Sequence, residues 1–253
     1  MEIAKSGNFT YLCSMKGLLS IVTICKNNQA ELEATIRSVI DQKTDEVEYI
    51  VVDGGSEDGS AALLQEDAPY INIGISEPDE GIYDAMNKGM AHSSGAWILF
   101  LNAGDVLAEG AIGHFKGAVV SLGDEVVIYG DHYEGGKLRH AREPEFLKRH
   151  MPCCHQATFF RNTGFRFDTR FRLAADYDLM RKIWEERGGA AFRRILHPIA
   201  EFDTTGLSST NIVLQRQEYL RIYSRYPKTL FYWAFWLLTK LRLPVRLHYA
   251  RSR

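Results

Sequence analysis

The chain has 253 residues, of which 45% are hydrophobic, 25% charged and 11% aromatic, an ordinary globular composition with enough length for a sizeable core. These figures exclude a collagen, a disordered chain and a small disulfide scaffold, and they suit one large α/β domain or one and a half smaller ones. The net charge of −2 hides an asymmetry: eight Lys or Arg but no Asp or Glu follow Glu218, leaving residues 1–218 with 22 basic against 32 acidic side chains.

Residues 1–17 read as a loose extension without the apolar core of a secretory signal, and Met15 stands as an alternative first residue. Leu18 to Cys25 is a nearly continuous apolar run, the pattern of a strand buried on both faces. Asn27 and Asn28 offer caps for a helix from about Gln29 to Asp41, with Leu32, Ile36, Val39 and Ile40 on one face. Glu48 to Asp53 forms a second strand ended by Gly54-Gly55, and Ser56 or Asp58 caps a helix from about Gly59 to Asp67. Ile71 to Ile75 and Ala96 to Leu101 complete four strands whose alternation with helices predicts a mostly parallel, doubly wound, Rossmann-like sheet.

Beyond Leu107 the pattern changes. A helix (Glu109 to Leu122) and a strand (Val126 to Tyr129) lead to a hairpin around Glu134-Gly-Gly136. A strand at Gln156 to Phe160, a helix from Asp176 to Arg187, a strand at Arg194 to Phe202 and a long helix from Ser208 to Tyr226 follow. With no repeat and no linker, the economical division is an extension (1–17), one domain with a mixed C-terminal half (18–226) and a tail (227–253). Cys13, Cys25, Cys153 and Cys154 make no CxxC pair, which fits a reducing compartment.

In open α/β sheets ligands bind beyond the carboxyl ends of the strands. Three polar clusters fall there: Cys25-Lys-Asn-Asn28, Asp53-Gly-Gly-Ser-Glu-Asp58 and Asn102-Ala-Gly-Asp105. Asp53 or Asp105 alone also suits a cap or a turn, but two such loops on one sheet edge favour a site. No GxGxxG follows the first strand and no GxxxxGK[ST] loop occurs, which disfavours a dinucleotide site. The remaining device for gripping phosphate is a divalent metal on a carboxylate, with Asp105 as the candidate. The segment from Ser76 to Met90 packs Asp79, Glu80, Tyr83, Asp84, Asn87 and Lys88 into ten residues. Periodicity alone also fits an amphipathic helix there, burying Ile82, Met86 and Met90 with its polar residues solvated.

Six pieces in order carry a resemblance. They are Val51-Val-Asp-Gly-Gly-Ser-Glu-Asp-Gly-Ser60, Ser76-Glu-Pro-Asp-Glu-Gly-Ile-Tyr-Asp-Ala-Met-Asn-Lys-Gly89, Phe100-Leu-Asn-Ala-Gly-Asp105, His155-Gln-Ala-Thr-Phe-Phe160, Ala174-Ala-Asp-Tyr-Asp-Leu179 and Glu201 to Asn211. Together, over about residues 18 to 220, the chain resembles the family 2 glycosyltransferases, most closely the bacterial subgroup that builds colanic acid, O-antigen and similar polysaccharides. The resemblance implies a GT-A fold, a nucleotide-sugar donor (UDP-sugar first), Mn2+ or Mg2+, and hexosyl transfer with inversion. Residue by residue, it implies that Asp53 binds the base and that Thr23 and Lys26 line the nucleotide pocket. Asp84, Asn87 and Lys88 would meet nucleotide and sugar, Asn102 and Asp105 fall in the metal segment, and Asp176, with Asp178 as its neighbour, takes the place of the catalytic base. His155 would approach the diphosphate or sugar, although a lone His before an apolar strand is as often a structural hydrogen-bonder.

The chain departs from the family pattern at two glycines. Gly54 stands where a second Asp is usual, and the metal segment keeps one carboxylate because Asn102 and Gly104 replace acidic residues. Gln215-Arg-Gln-Glu-Tyr219 does not match the Gln-x-x-Arg-Trp of processive members, so one sugar per encounter is expected. The tail runs apolar and aromatic from Leu230 to Leu238 among Lys and Arg, too short to span a bilayer and suited to the headgroup layer. A helix packed on the body, or a homodimer contact, is the alternative. The acceptor implied is a saccharide, commonly polyprenyl-diphosphate-linked, and the location cytoplasmic, peripheral on the inner face of the plasma membrane. A non-catalytic nucleotide-sugar-binding or membrane assembly protein and a sugar nucleotidyltransferase are the competing readings, the latter lacking its Gly-rich basic loop. The acidic body argues against nucleic acid.

Overall fold

The computed structural model describes residues 17–204 and 211–226. Residues 1–16, the tail 227–253 and the first residues of the long helix expected from Ser208 lie outside them. The strands are β1 (Leu19–Cys25), β2 (Val47–Asp53), β3 (Ile73–Ser76), β4 (Trp97–Phe100), β5 (Val106–Leu107), β6 (Val127–Glu134), β7 (Lys137–Arg139), β8 (Thr158–Arg161) and β9 (Phe192–Phe202). The helices are α1 (Gln29–Ile40), α2 (Ser60–Glu66), α3 (Ile82–His92), α4 (Ala111–Val119), α5 (Ala175–Arg187) and α6 (Ile212–Arg225).

One sheet of order β3-β2-β1-β4-β8-β6-β9-β5 runs through the molecule, with β7 paired to β6. Its first four strands are parallel, as the alternation predicts. β8 then runs antiparallel to both β4 and β6, β6 pairs β9 in parallel, and β5 pairs β9 antiparallel, giving the mixed second half. Every residue of β1 is buried, because both faces of the sheet are covered. Val22, Val52 and Phe100 pack with Met86, Met90, Tyr177 and Tyr223 under α3, α5 and α6. Their strand neighbours Ile21, Val51 and Leu99 pack with Ile36, Leu63 and Phe115 under α1, α2 and α4. The result is the α/β doubly wound architecture of the GT-A fold.

Three local readings change. The strand expected to stop at Tyr129 continues to Glu134, and its hairpin with β7 turns at Gly135-Gly136. Ile40 is only half-buried, and Thr35 takes its place inside α1: the hydroxyl donates to the Asp105 carbonyl at 2.8 Å and accepts from Gly104 N–H at 3.1 Å. Asn28 makes no side-chain cap. Instead Asp58 Oδ2 accepts from Gln29 N–H at 3.0 Å while its Oδ1 accepts from Ser60 N–H at 3.0 Å, so one carboxylate serves the starts of both α1 and α2. Asn27 Oδ1 accepts from Glu57 N–H at 2.9 Å, completing a stitch between the loops after β1 and β2.

Candidate active site

The carboxyl edge of the parallel half carries the first cluster. Cys25 and Asp53 are paired in register at the ends of β1 and β2, and Asp53 pairs with Ser76 at the end of β3. Asp53 is fully buried and its oxygens accept from the hydroxyls of Ser56 and Ser76, from Ser56 N–H and from the Cys25 thiol. Burial alone would raise its pKa, but the hydroxyls of Ser56 and Ser76 outweigh that and hold the carboxyl below its usual range, so it is ionised. Lys26 is exposed at the end of β1, and its chain flanks Gly54. Asn102 follows β4, two strands from the β2 that carries Asp53, roughly 10 Å at 4.8 Å per strand.

The second cluster surrounds Asp105, which is 2% exposed. Its Oδ1 accepts from Asp203 N–H at 2.9 Å, which brings the end of β9 against the Asn102–Asp105 turn. Burial pushes its carboxyl up to about 6, against the Asp203 N–H, the His155 charge and Gln156, which favour ionisation. Asn102 Oδ1 is buried without a hydrogen-bond partner among the described residues, and so is His155 Nε2.

Asp176 sits in the first turn of α5, where the helix N-terminus favours a negative charge. Tyr83, in the first turn of α3, donates its hydroxyl to Asp176 Oδ1 at 2.8 Å, and Tyr177 N–H donates to the same oxygen at 2.8 Å. His155 Nδ1 lies 3.4 Å from Oδ2. Burial acts to raise the Asp176 carboxyl, but His155, then Tyr83 and Tyr177, outweigh it and leave the group below its ordinary range. Burial and the Asp176 charge in turn push the Tyr83 phenol well up, so it remains a donor. His155 acts on both Asp105 and Asp176 and thereby joins the second cluster to this third one.

The other expected residues fall elsewhere. Thr23 is fully buried inside β1, where it accepts from the Tyr49 hydroxyl at 3.1 Å, so it does not line a pocket. Asn87 spends its amide on Phe167, donating to the carbonyl at 3.0 Å and accepting from the N–H at 2.9 Å, and thus pins the chain leading into α5. Lys88 donates to the Pro78 carbonyl at 2.6 Å and pairs with Glu77 and Asp84, while Asp84 Oδ2 accepts from Glu80 N–H at 3.1 Å. These two shape the 77–81 loop. Asp178 forms a two-oxygen ion pair with Arg225 of α6, at 2.7 and 2.8 Å, and takes no part in the Asp176 cluster. Sequence reasoning missed Tyr83 as a partner of Asp176. It also missed Glu218, whose buried carboxylate accepts from Arg172 N–H at 2.7 Å and Leu173 N–H at 2.8 Å just ahead of α5.

Asp105 with the orphaned Asn102 oxygen is a hard-oxygen donor set. Among the described residues no group of three or more His, Cys, Asp or Glu stands ready to hold an ion. The set therefore fits a divalent cation that draws its other ligands from a diphosphate and water, as Mg2+ commonly does.

A parallel α/β half ending in polar loops, with ionised carboxylates on either side of a metal-fitting turn, defines a GT-A type transferase site. Residues 20–184 match the model of Glycosyl transferase family 2. An uncharacterized glycosyltransferase of Mycobacterium tuberculosis is 32% identical over 206 residues, covering 76% of this chain and 77% of that protein. A PGL/p-HBAD biosynthesis glycosyltransferase of Mycobacterium bovis is 30% identical over 212 residues, 78% and 80% of the two chains. Among solved structures, glucosyl-3-phosphoglycerate synthase from Mycobacterium tuberculosis, in complex with Mn2+, UDP and glucosyl-3-phosphoglycerate, superposes with a TM-score of 0.60 at 15% identity, covering 90% of this chain and 81% of that one. The chain belongs to glycosyl transferase family 2 and is a glycosyltransferase. No helix among the described residues is long and apolar enough to cross a membrane.

Proposed function

We propose that this chain is an inverting, non-processive glycosyltransferase that moves one hexosyl unit from a nucleotide-sugar, UDP-sugar first, to a saccharide acceptor in the biosynthesis of a bacterial surface polysaccharide or related glycoconjugate. The observation that carries the reading is the Asp176 carboxylate, kept ionised by Tyr83, Tyr177 and His155 and coupled through His155 to the Asp105 turn. In this reading Asp53, buried with its oxygens already accepting from Ser56, Ser76 and Cys25, braces the nucleotide pocket from behind instead of meeting the base, and Lys26 lies beside the nucleotide. Asp105 and Asn102 hold Mn2+ or Mg2+, which supplies charge neutralisation for the diphosphate. His155 turns its unpartnered Nε2 toward the diphosphate or sugar.

Asp176 accepts the proton of the acceptor hydroxyl as that oxygen forms its bond to the anomeric carbon. The bond from that carbon to the diphosphate oxygen breaks, and the nucleoside diphosphate leaves with the electron pair. Attack from the face opposite the leaving group inverts the configuration, and a positioned base contributes roughly 10²–10⁴-fold. The domain spans residues 18–226, and the tail 227–253 holds the protein at the inner face of the plasma membrane, beside a lipid-linked acceptor. The support for that placement is the run of Lys, Arg and aromatic residues without an acid. Incubation with UDP-sugars and Mn2+ tests the reading: release of UDP that depends on Asp176 is expected, and nucleotide binding without any turnover, by hydrolysis or transfer, would leave a binding protein instead.

A further inference from the structure

At two glycines of the strand-end loops, Gly54 and Gly104, a carboxylate from another loop stands where a side chain would lie. A Cβ on Gly54 would lie 2.0 Å from Asp79 Oδ2 and 3.0 Å from its Cγ. A Cβ on Gly104 would lie 2.9 Å from Asp203 Oδ2. We infer that Asp79, held over Gly54 at the carboxyl edge of β1 and β2, is a nucleoside-binding residue, accepting a hydrogen bond from a ribose hydroxyl or a ring N–H of the bound nucleoside diphosphate.

The placement is built rather than incidental. Asp79 Oδ1 accepts from Gly81 N–H at 2.9 Å, and Lys88 of α3 ties down the Pro78 carbonyl at 2.6 Å, so the 77–81 loop is fastened on both sides of Asp79. Its Oδ2 accepts no hydrogen bond among the described residues and points over Gly54, with the Lys26 chain 3.4 Å from the same spot. Around the end of β1 the charges of Asp53, Asp58 and Asp79 converge, and all three add to the effect of burial on the Cys25 thiol. A strand edge lined with acceptors takes up hydroxyl and N–H donors and repels phosphate. It therefore orders the ligand, nucleoside at the β1–β2 edge and diphosphate toward Asn102 and Asp105. The backbone at Gly54 is outside the left-handed region, unlike that at Gly55, so a side chain is excluded there only by Asp79 itself.

This inference rests on the nucleotide-sugar reading, and a carboxylate swap tests it. Binding of UDP and of inorganic diphosphate, each with Mn2+, is measured calorimetrically on the full chain and on Asp79→Ala, Gly54→Asp and Gly54→Asp/Asp79→Gly. Asp79→Ala should weaken UDP about 10- to 100-fold, equivalent to about 1.4–2.8 kcal/mol, and leave inorganic diphosphate unchanged. Gly54→Asp should weaken UDP similarly, because two carboxylates contend for one space, and the double variant should return to within about threefold of the parent. UDP binding unchanged in Asp79→Ala, equal losses for UDP and diphosphate, or a folded double variant no better than the single ones would overturn the assignment. A parent chain that binds no nucleoside diphosphate at all would instead bring down the functional reading beneath it.

Discussion

Replacing Asp176 by Asn is the sharpest chemical perturbation the site allows. The amide oxygen can keep the hydrogen bonds from Tyr83 and Tyr177, at 2.8 Å each, so the first turn of α5 stays in place. What disappears is the negative charge and the proton-accepting oxygen beside His155, 3.4 Å away. Loss of a positioned base costs roughly 10²–10⁴-fold, which is about 3–5 kcal/mol of barrier at 1.36 kcal/mol per factor of ten. Turnover of a UDP-sugar, followed by release of UDP in a coupled assay, should fall by that factor, while calorimetric affinity for UDP stays within about twofold. The Asn variant has no group that titrates into a base, so raising the pH should not restore it. A variant turning over within tenfold of the parent would refute the assignment of the base, whatever the binding data say.

Other outcomes follow from the same contacts. Tyr83→Phe removes a donor that favours the ionised form of Asp176, so its carboxyl rises and the acid limb of the pH–rate profile moves to higher pH; an unmoved limb would separate Tyr83 from the base. Glu218→Ala strips acceptors from two backbone N–H groups in a site 1% exposed and should destabilise the protein by about 3–5 kcal/mol in urea unfolding, with a loss below about 1 kcal/mol counting against the anchor. Asp105 has its carboxyl raised from 3.8 to about 6, so the folded state favours the protonated form and loses stability as pH climbs from about 4 to 6. Asp105→Asn should therefore stabilise the metal-free protein at pH 7.5, by at most about 3 kcal/mol, and abolish any stabilisation by Mn2+ with UDP; equal melting of the two proteins would contradict the burial cost. Deleting residues 228–253 should release the protein from anionic vesicles in sedimentation, and unchanged pelleting would assign the tail to another contact.

Hydrophobic patterning made the parallel half legible, since Leu19 to Cys25 and Val47 to Asp53 are buried strands that end in polar loops. Motif order likewise singled out Asp53, Asp105 and Asp176. What stayed hidden are relations between distant segments. Thr23 has the look of a strand-end residue, but it lies two positions inside β1, and only Tyr49, 26 residues away, shows where its hydroxyl goes. Asn87 reads as a site residue because its helix is rich in polar groups, yet the amide matches the backbone of Phe167, 80 residues on. A buried Glu such as Glu218 has no local signature, because it sits among the polar residues Gln215, Arg216 and Gln217 of α6 and its inward face emerges only when the helix docks. Gly54 and Gly104 read as missing acids in one dimension, while the carboxylates that lie against them, Asp79 and Asp203, stand 25 and 99 residues downstream.

The join between β4 and β8 has a consequence for how such a protein changes over evolutionary time. There the parallel strands that bear Asp53 and Asn102 meet the antiparallel β8, and Asp176 follows on α5. In the proposed reading, donor binding and acceptor activation draw on separate runs of chain, joined by the β4–β8 pairs from Trp97–Arg161 to Leu99–Phe159 and by the contacts of Tyr83 with Asp176, Asn87 with Phe167 and Asp105 with Asp203. On that reading, substitutions in the second half that spare these contacts can reshape the acceptor side and leave the nucleotide side as it is.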